Sequence, residues 1–387
     1  MENKMNQPAK INFQAMYLDQ FGDSQQLLPR RFQLTPPEAQ EVQIKMLASG
    51  LSMADVMVRK GFYPDVKKPG VIPGYEGIAQ VVAVGRDVKH WEPGQVVALM
   101  TITGNCTEYR NVHWQALLPI KDRLTTQDNV PELACLLLNY VTAKQMIDRV
   151  TTIPRGAKIL IHNGAGGVGT ALIQLLKLKG QYQLFATASR SKLEQLKNMD
   201  VCGINRHENV AQQVQSLGGM DVVFDGIGGQ HLNLSQACLA PKGQLIFYGM
   251  TQLTGQPSLW QKGSFAAQFI KFLIKGWLSR RVHFYSITDY RKRHPEWFAE
   301  DFQILVNDYQ AGLFKPIVDD VLALSELPSA HQRLESGQTQ GKLVVVPDPL
   351  LARFKSQWVS AGTGLDTNPV ETLGKNRGGQ IPALGIH

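Results

Sequence analysis

The stretch Ile159-Leu160-Ile161-His162-Asn163-Gly164-Ala165-Gly166-Gly167-Val168-Gly169 decides how the rest of the chain is read. Lys158 to His162 is apolar and β-branched, as a short buried strand is, and Ala171 to Lys179 carries Leu172, Leu175, Leu176 and Leu178, as a packed helix does. Between them stand Gly164, Gly166 and Gly169 at Gly-x-Gly-x-x-Gly spacing. At that spacing the first glycine takes a tight turn, the second lets a pyrophosphate approach the backbone, and the third lets the helix pack closely on the sheet. Gly167 and Val168 open the helix, where free N–H groups face an anion. With a second strand over Tyr182 to Ala188, the whole is a βαβ unit of the dinucleotide-binding kind.

The end of that second strand selects the cofactor. An NAD site places an Asp or Glu roughly 20 residues past the glycines to hold the ribose hydroxyls. Here the chain has Ser189, Arg190, Ser191 and Lys192, and no carboxylate before Glu194. Two cations and two hydroxyls suit a 2′-phosphate, so the expected cofactor is NADP(H). Two later strands, Val222 to Asp225 and Leu245 to Tyr248, end in Asp225-Gly226-Ile227-Gly228-Gly229 and Gly249-Met250. A doubly wound sheet holds its ligand at such carboxyl ends, so Asp225, Gly249 and Met250 join the cofactor-site candidates.

With 387 residues the chain can bury a large core and is expected to form two domains. Its net charge of +8 comes from scattered Lys and Arg without an aromatic-interleaved stripe, which argues for an anionic small ligand over nucleic acid. Cys106, Cys135, Cys202 and Cys238 are too widely spaced for a Cys-x-x-Cys pair or zinc knuckle and read as reduced thiols. No signal-peptide pattern opens the chain, and no run reaches the roughly 18 apolar residues of a membrane span, so the expected location is the cytoplasm.

Before the glycine loop, short strands punctuated by Gly and Pro over Ile11 to Pro119 suggest a barrel-like unit. Glu132 to Val150 reads as a long helix, with Leu133 to Leu138 apolar enough for an interdomain position. Trp260 to Arg281 is apolar and basic and is expected to line a substrate cleft or subunit contact. A strand at Ile317 to Val321, a helix at Leu327 to Ser336 and a strand at Lys342 to Val346 follow, and Ser360 to His387 has little to bury.

Several further motifs resemble one family: Gly50-Leu51-Ser52-Met53-Ala54-Asp55, Arg59-Lys60-Gly61-Phe62-Tyr63, Gly74-Tyr75-Glu76-Gly77, Leu138-Asn139-Tyr140-Val141-Thr142-Ala143 and Tyr248-Gly249-Met250. Over roughly residues 11 to 348 the chain resembles the zinc-free branch of the medium-chain dehydrogenase/reductase superfamily. Within it the likeness is to quinone oxidoreductases of the zeta-crystallin type, and most closely to the vesicle amine transport protein homologue group. The resemblance implies an α/β architecture. A discontinuous, β-rich GroES-like catalytic domain (1–134 and 283–349) would flank a Rossmann domain with a doubly wound parallel sheet (135–282), followed by an extension (350–387). It also implies an active site in the cleft between the domains and a homodimer formed through the edges of the Rossmann sheets.

Site residues follow from the same resemblance. Zinc-dependent members place a Cys and a His-Glu pair where this chain has Ser49 and Tyr75-Glu76, so no metal site is expected. Glu76 and Asp55 read as ion-pair or hydrogen-bond partners. Tyr63, in Gly61-Phe62-Tyr63-Pro64, matches the proposed proton donor of enoyl-thioester reductases. Asn139 and Thr142 match positions on the nicotinamide side, Lys342 a late lysine that reaches the cofactor, and Arg206 a residue stacked on the adenine. Ser52 replaces a common Asn beside the substrate, and Lys144 a common aromatic, which bears on turnover.

The function expected from these residues is a zinc-independent, NADPH-dependent reduction of a conjugated carbonyl, with Tyr63, Ser52 and Thr142 as candidate catalytic groups and a small carbonyl compound as partner. The alternatives are an enoyl-thioester reductase of lipid or polyketide metabolism and a non-catalytic NADPH-binding redox sensor. Neither nucleic acid nor an integral membrane contact is expected.

Overall fold

In this computed structural model the described residues are 10–120, 129–250, 270, 274 and 281–354. The amphipathic stretch expected over Trp260 to Arg281 therefore lies, apart from Ile270, Ile274 and Arg281, outside them, as does the expected extension beyond Phe354.

The chain opens with an antiparallel hairpin, β1 (Ile11–Leu18) on β2 (Leu27–Leu34), whose buried Phe13, Ala15, Met16 and Leu18 lie along β1. The long strand β3 (Glu41–Leu51) then pairs with β4 (Glu76–Val84) and with β6 (Tyr109–His113), while β5 (Val96–Met100) bridges β4 to β7 (Leu117–Pro119).

A second sheet contains β8 (Lys158–Ile161), β9 (Gln183–Ala188), β10 (Cys202–Asn205), β11 (Met220–Asp225), β12 (Leu239–Phe247) and β13 (Val282–Phe284). All its pairings are parallel and its order is β10-β9-β8-β11-β12-β13. That is the doubly wound Rossmann order, with its switch point between β8 and β11. The expected domain boundary at 282/283 falls inside β13. Leu245, Ile246 and Phe247 of β12 are in register with Val282, His283 and Phe284, so the parallel sheet holds the chain through Phe284.

The chain then returns to the first sheet. β14 (Val318–Ala323) pairs with β15 (Lys342–Val346), and β15 runs antiparallel to the end of β3, opposite Gly50 and Leu51. The first sheet is thus completed by strands more than half the chain away.

Between the sheets lies the helical run 130–150. Pro131 sits in its first turn, where a missing N–H costs nothing. Two stretches, Leu136–Tyr140 and Met146–Val150, are wound as π-helix, a widening that recurs at functional sites. Leu133, Leu136, Leu137, Val141 and Met146 are buried in one core with Ile78 and Ala98 of the first sheet and Ile159, Phe224 and Ile246 of the second. Residues 130–143 are buried throughout, and this part of the run packs against both sheets.

Candidate active site

The loop after β8 is built differently from its simplest reading. Its left-handed residue is Asn163 (φ 56°), a residue type that tolerates this region, and no glycine of the loop has a positive φ. The glycines act by close approach instead. A Cβ on Gly164 would lie 2.5 Å from the Ala186 Cβ on β9, and one on Gly169 would lie 2.5 Å from the Asn163 carbonyl oxygen, neither of which can yield. A Cβ on Gly167 would collide with the Asn139 amide. Gly166 caps the helix Gly167–Lys179 without any side-chain hydrogen bond, which leaves the N–H groups of Gly167, Val168 and Gly169 open to an anion. This cradle, which any side chain would fill, fits a dinucleotide pyrophosphate.

At the end of β9, Ser189 and Ser191 are 3.2 Å apart through their hydroxyls, and Arg190 is exposed. The Arg206 N–H donates to the Ala188 carbonyl at 2.8 Å, which sets a second exposed guanidinium beside that strand end. Lys192 goes elsewhere. Its buried ammonium donates to the carbonyls of Gly337 (2.7 Å) and Thr339 (2.5 Å), clasping the loop that leads into β15. Burial lowers its pKa, helped by nearby Arg206 and opposed by Asp319. The exposed cations at this corner are therefore Arg190 and Arg206, a group suited to a phosphate on the adenosine ribose.

The clasped loop also seals the glycine cradle. Gly341 forms a parallel bridge with Gly166 and donates its N–H to the Ala165 carbonyl at 2.9 Å. The next residue, Lys342, points its buried ammonium at the Glu76 carboxylate and lies 3.4 Å from the Asn139 amide oxygen. The other Glu76 oxygen accepts the Leu138 N–H at 2.6 Å. Burial pushes the Glu76 pKa up to about 7, against the pull of Lys342. Gly50 leaves room for this group, since a Cβ there would stand 2.7 Å from both Glu76 and Lys342.

Ser52 precedes the helix Met53–Arg59, and its N–H and hydroxyl both donate to Asp55 at 2.8 Å. Asp55 is buried, which raises its pKa, while Ser52 and Lys342 oppose the rise. Tyr63 and Tyr75 share a 2.7 Å hydrogen bond between their hydroxyls, with rings edge to face at 5.7 Å. Thr142 is buried near the Tyr285 hydroxyl, which donates to Gln145 at 2.8 Å, so its hydroxyl faces the packing of the helical run. Lys144 turns outward to an ion pair with Asp148 at 2.8 Å.

Two sequence profiles match the chain. That of the alcohol dehydrogenase GroES-like domain covers residues 38–127, and that of the zinc-binding dehydrogenase family covers 196–345. The human synaptic vesicle membrane protein VAT-1 homolog is 28% identical over 327 residues, spanning 81% of this chain and 80% of the relative. The crystal structure of the human VAT-1 homolog-like protein superposes with a TM-score of 0.70 at 26% identity, covering 87% of this chain and 99% of that one. A Pseudomonas syringae pv. Tomato quinone oxidoreductase gives 0.72 at 25% identity, covering 87% and 100%. The chain belongs to the medium-chain dehydrogenase/reductase superfamily.

Some members of the superfamily use zinc, but the residues here do not fit a catalytic zinc ion. The Ser49 hydroxyl donates to the Glu76 carbonyl at 2.7 Å, Tyr75 stands where imidazole would be needed, and the Glu76 carboxylate already faces Lys342. Cys106 lies 4.0 Å from Ser49, yet burial drives its thiol pKa up, away from the thiolate a metal requires.

At the superfamily's other strand ends, Asp225 is fully engaged by its own loop. It accepts from the N–H groups of Ile227 (2.6 Å) and Gly228 (3.0 Å), from Ser235 (2.6 Å) and from His231 (2.9 Å). Burial alone would raise its pKa, but these partners, led by His231, hold it well below the usual carboxylate range. The Asp225 carboxylate therefore shapes the loop, against which Gly249 packs so closely that a Cβ would collide with the Gly226 carbonyl; Met250 follows, half-buried. His162 completes this cluster, edge to face with His231 at 4.4 Å. In the sequence His162 stands out only as a polar residue at the end of an apolar strand.

Proposed function

We propose that this chain is an NADPH-dependent, zinc-independent reductase that transfers hydride to a conjugated carbonyl, a quinone or an α,β-unsaturated ketone. The observation that carries it is that two neighbouring residues, Tyr75 and Glu76, hold Tyr63 by a 2.7 Å bond between hydroxyls and Lys342 by a buried ion pair. A phenol suited to proton donation and the lysine that closes the dinucleotide cradle thereby belong to one buried site.

The N–H groups of Gly167, Val168 and Gly169 would hold the pyrophosphate, Ser189, Arg190 and Arg206 the 2′-phosphate, and Asn139 with Lys342 the nicotinamide end. Bound there, the reduced nicotinamide supplies the hydride. The protein's task is the proton and the charge. Burial raises the Tyr63 pKa, so its hydroxyl is protonated at neutral pH and can donate to an oxygen that is becoming an enolate or quinol. Lys342, paired with Glu76, lies 3.4 Å from the Asn139 amide oxygen and so orients that amide.

The proposal includes a cytoplasmic homodimer joined through edge strands of the parallel sheets. Within the described residues no helix is long and apolar enough to cross a membrane, and β13 stands at one end of the described sheet. Sedimentation of the full chain would measure its mass.

The activity test follows the absorbance of reduced nicotinamide with quinones, enones and enoyl-CoA thioesters, using NADPH or NADH, with and without a chelator. Chelator-resistant oxidation of NADPH by quinones or enones is expected. Preference for enoyl-CoA would move the substrate to thioesters, and saturable NADPH binding without turnover would leave a sensor.

A further inference from the structure

Tyr63 is not an isolated phenol. Its hydroxyl lies 2.7 Å from that of Tyr75, and the Thr288 hydroxyl, 3.0 Å from that of Ser286, is close to both. Three hydroxyl groups from separate segments thus converge: the turn after the helix Met53–Arg59, the start of β4, and the helix Ile287–Arg293.

Their surroundings differ. Tyr75 is buried, and its carbonyl accepts the N–H groups of Thr101 (3.0 Å) and Ile102 (3.3 Å). Ile102 itself is held at φ 69°, a costly conformation for a β-branched residue, over this same tyrosine. Asn105 donates to the Gly74 carbonyl at 3.0 Å, and half-buried Arg110 binds Thr101, Thr103 and Asn105. Tyr63, half-buried, sits on a turn.

We propose that Tyr75, with Thr288, is a positioning residue whose hydroxyl stabilises the phenolate that Tyr63 becomes after giving up its proton. This rests on the reductase reading above. When hydride from the reduced nicotinamide reaches the acceptor carbon, the π electron pair of the conjugated system settles on the acceptor oxygen. The Tyr63 O–H bond breaks, its proton bonds to that oxygen, and its electron pair stays on the Tyr63 oxygen. Tyr75 and Thr288 donate hydrogen bonds to the new anion, and water returns the proton through the half-buried Thr288. The nicotinamide is oxidised and the acceptor reduced by two electrons. Burial makes Tyr75 much the harder of the two phenols to ionise, so it remains the donor of the pair. The charges facing them are Asp55 and Asp65, which oppose ionisation of Tyr63, and Arg291, whose charge is felt at Tyr75.

The test is a double-mutant cycle on the full chain with the best acceptor. Tyr75→Phe should lower kcat about 10- to 100-fold, as loss of a hydrogen bond to a charged group does, while NADPH affinity is kept. In a Tyr63→Phe background the same substitution should have no further effect, because its target anion no longer forms. If Tyr75→Phe does not fold, Thr288→Val carries the same cycle with a smaller loss. Equal losses of kcat in both backgrounds would overturn the proposal while leaving the reductase intact. Absence of turnover in the unmodified chain would instead overturn the reductase reading, and this one with it.

Discussion

Lys342 and Glu76, 266 positions apart in the chain, form an ion pair that is buried on both sides and ties β15 to β4 across β3. Removing one member of such a pair leaves an uncompensated charge, which costs about 3–5 kcal/mol. Lys342→Met should therefore lower the melting temperature well beyond the effect of an exposed lysine substitution. The same variant should weaken NADPH binding, measured by calorimetry, because Lys342 follows the residue that bridges to Gly166.

Glu76 should also leave a mark on the pH dependence of stability. Its folded pKa of about 7 is above the ordinary value of 4.5, so the folded state binds this proton more tightly than the unfolded chain. Its stabilising contribution is full below 4.5 and is lost as pH rises through 7. Melting temperatures measured across that window should show the unmodified chain gaining, relative to Glu76→Gln, as pH falls.

His331 should behave in the opposite sense. It is buried with both ring nitrogens unpartnered, and burial, aided by Arg59, lowers its pKa from 6.5 to about 3. Its neutral form favours the fold above 6.5, and that contribution is lost as pH falls toward 3. His331→Leu, which sacrifices no hydrogen bond, should flatten the acid limb of the melting curve between those values; an unchanged limb would refute the assignment.

Cofactor choice should depend on Arg190 and Arg206 more than on Lys192. Arg190→Ala with Arg206→Ala should weaken NADPH binding by roughly 10- to 100-fold and NADH binding little. Equal loss for both nucleotides would remove the 2′-phosphate assignment. Lys192→Met should instead lower thermal stability, since its ammonium holds the carbonyls of Gly337 and Thr339.

Gly167→Ala should cost about 1–3 kcal/mol by overpacking against the Asn139 amide. Adding Asn139→Gly should recover part of the lost melting temperature without recovering NADPH affinity, which separates the steric role of the glycine from the binding role of the amide.

Local pattern was enough for much of this molecule. The β-branched run ending at Ile161, the glycine spacing and the leucines of the following helix act within a few residues of one another, so their order alone prescribes strand, cradle and helix. The Ser189 to Lys192 segment was legible as cationic for the same reason. Even there, two assignments changed hands: Asn163 rather than a glycine takes the left-handed turn, and Lys192 turns from the cofactor corner to a loop more than a hundred residues on.

The sequence by itself determined the two kinds of sheet, the position of the glycine cradle and the absence of a cysteine and histidine where zinc-dependent relatives have them. Only the tertiary structure decided that Glu76 answers Lys342, that Asp225 spends its oxygens on its own loop, and that Tyr63 is paired with Tyr75. Periodicity and turn chemistry are short-range and leave a trace in the order of residues. The partner of a buried charge or hydroxyl is set by whichever distant segment the packed core brings within hydrogen-bonding distance.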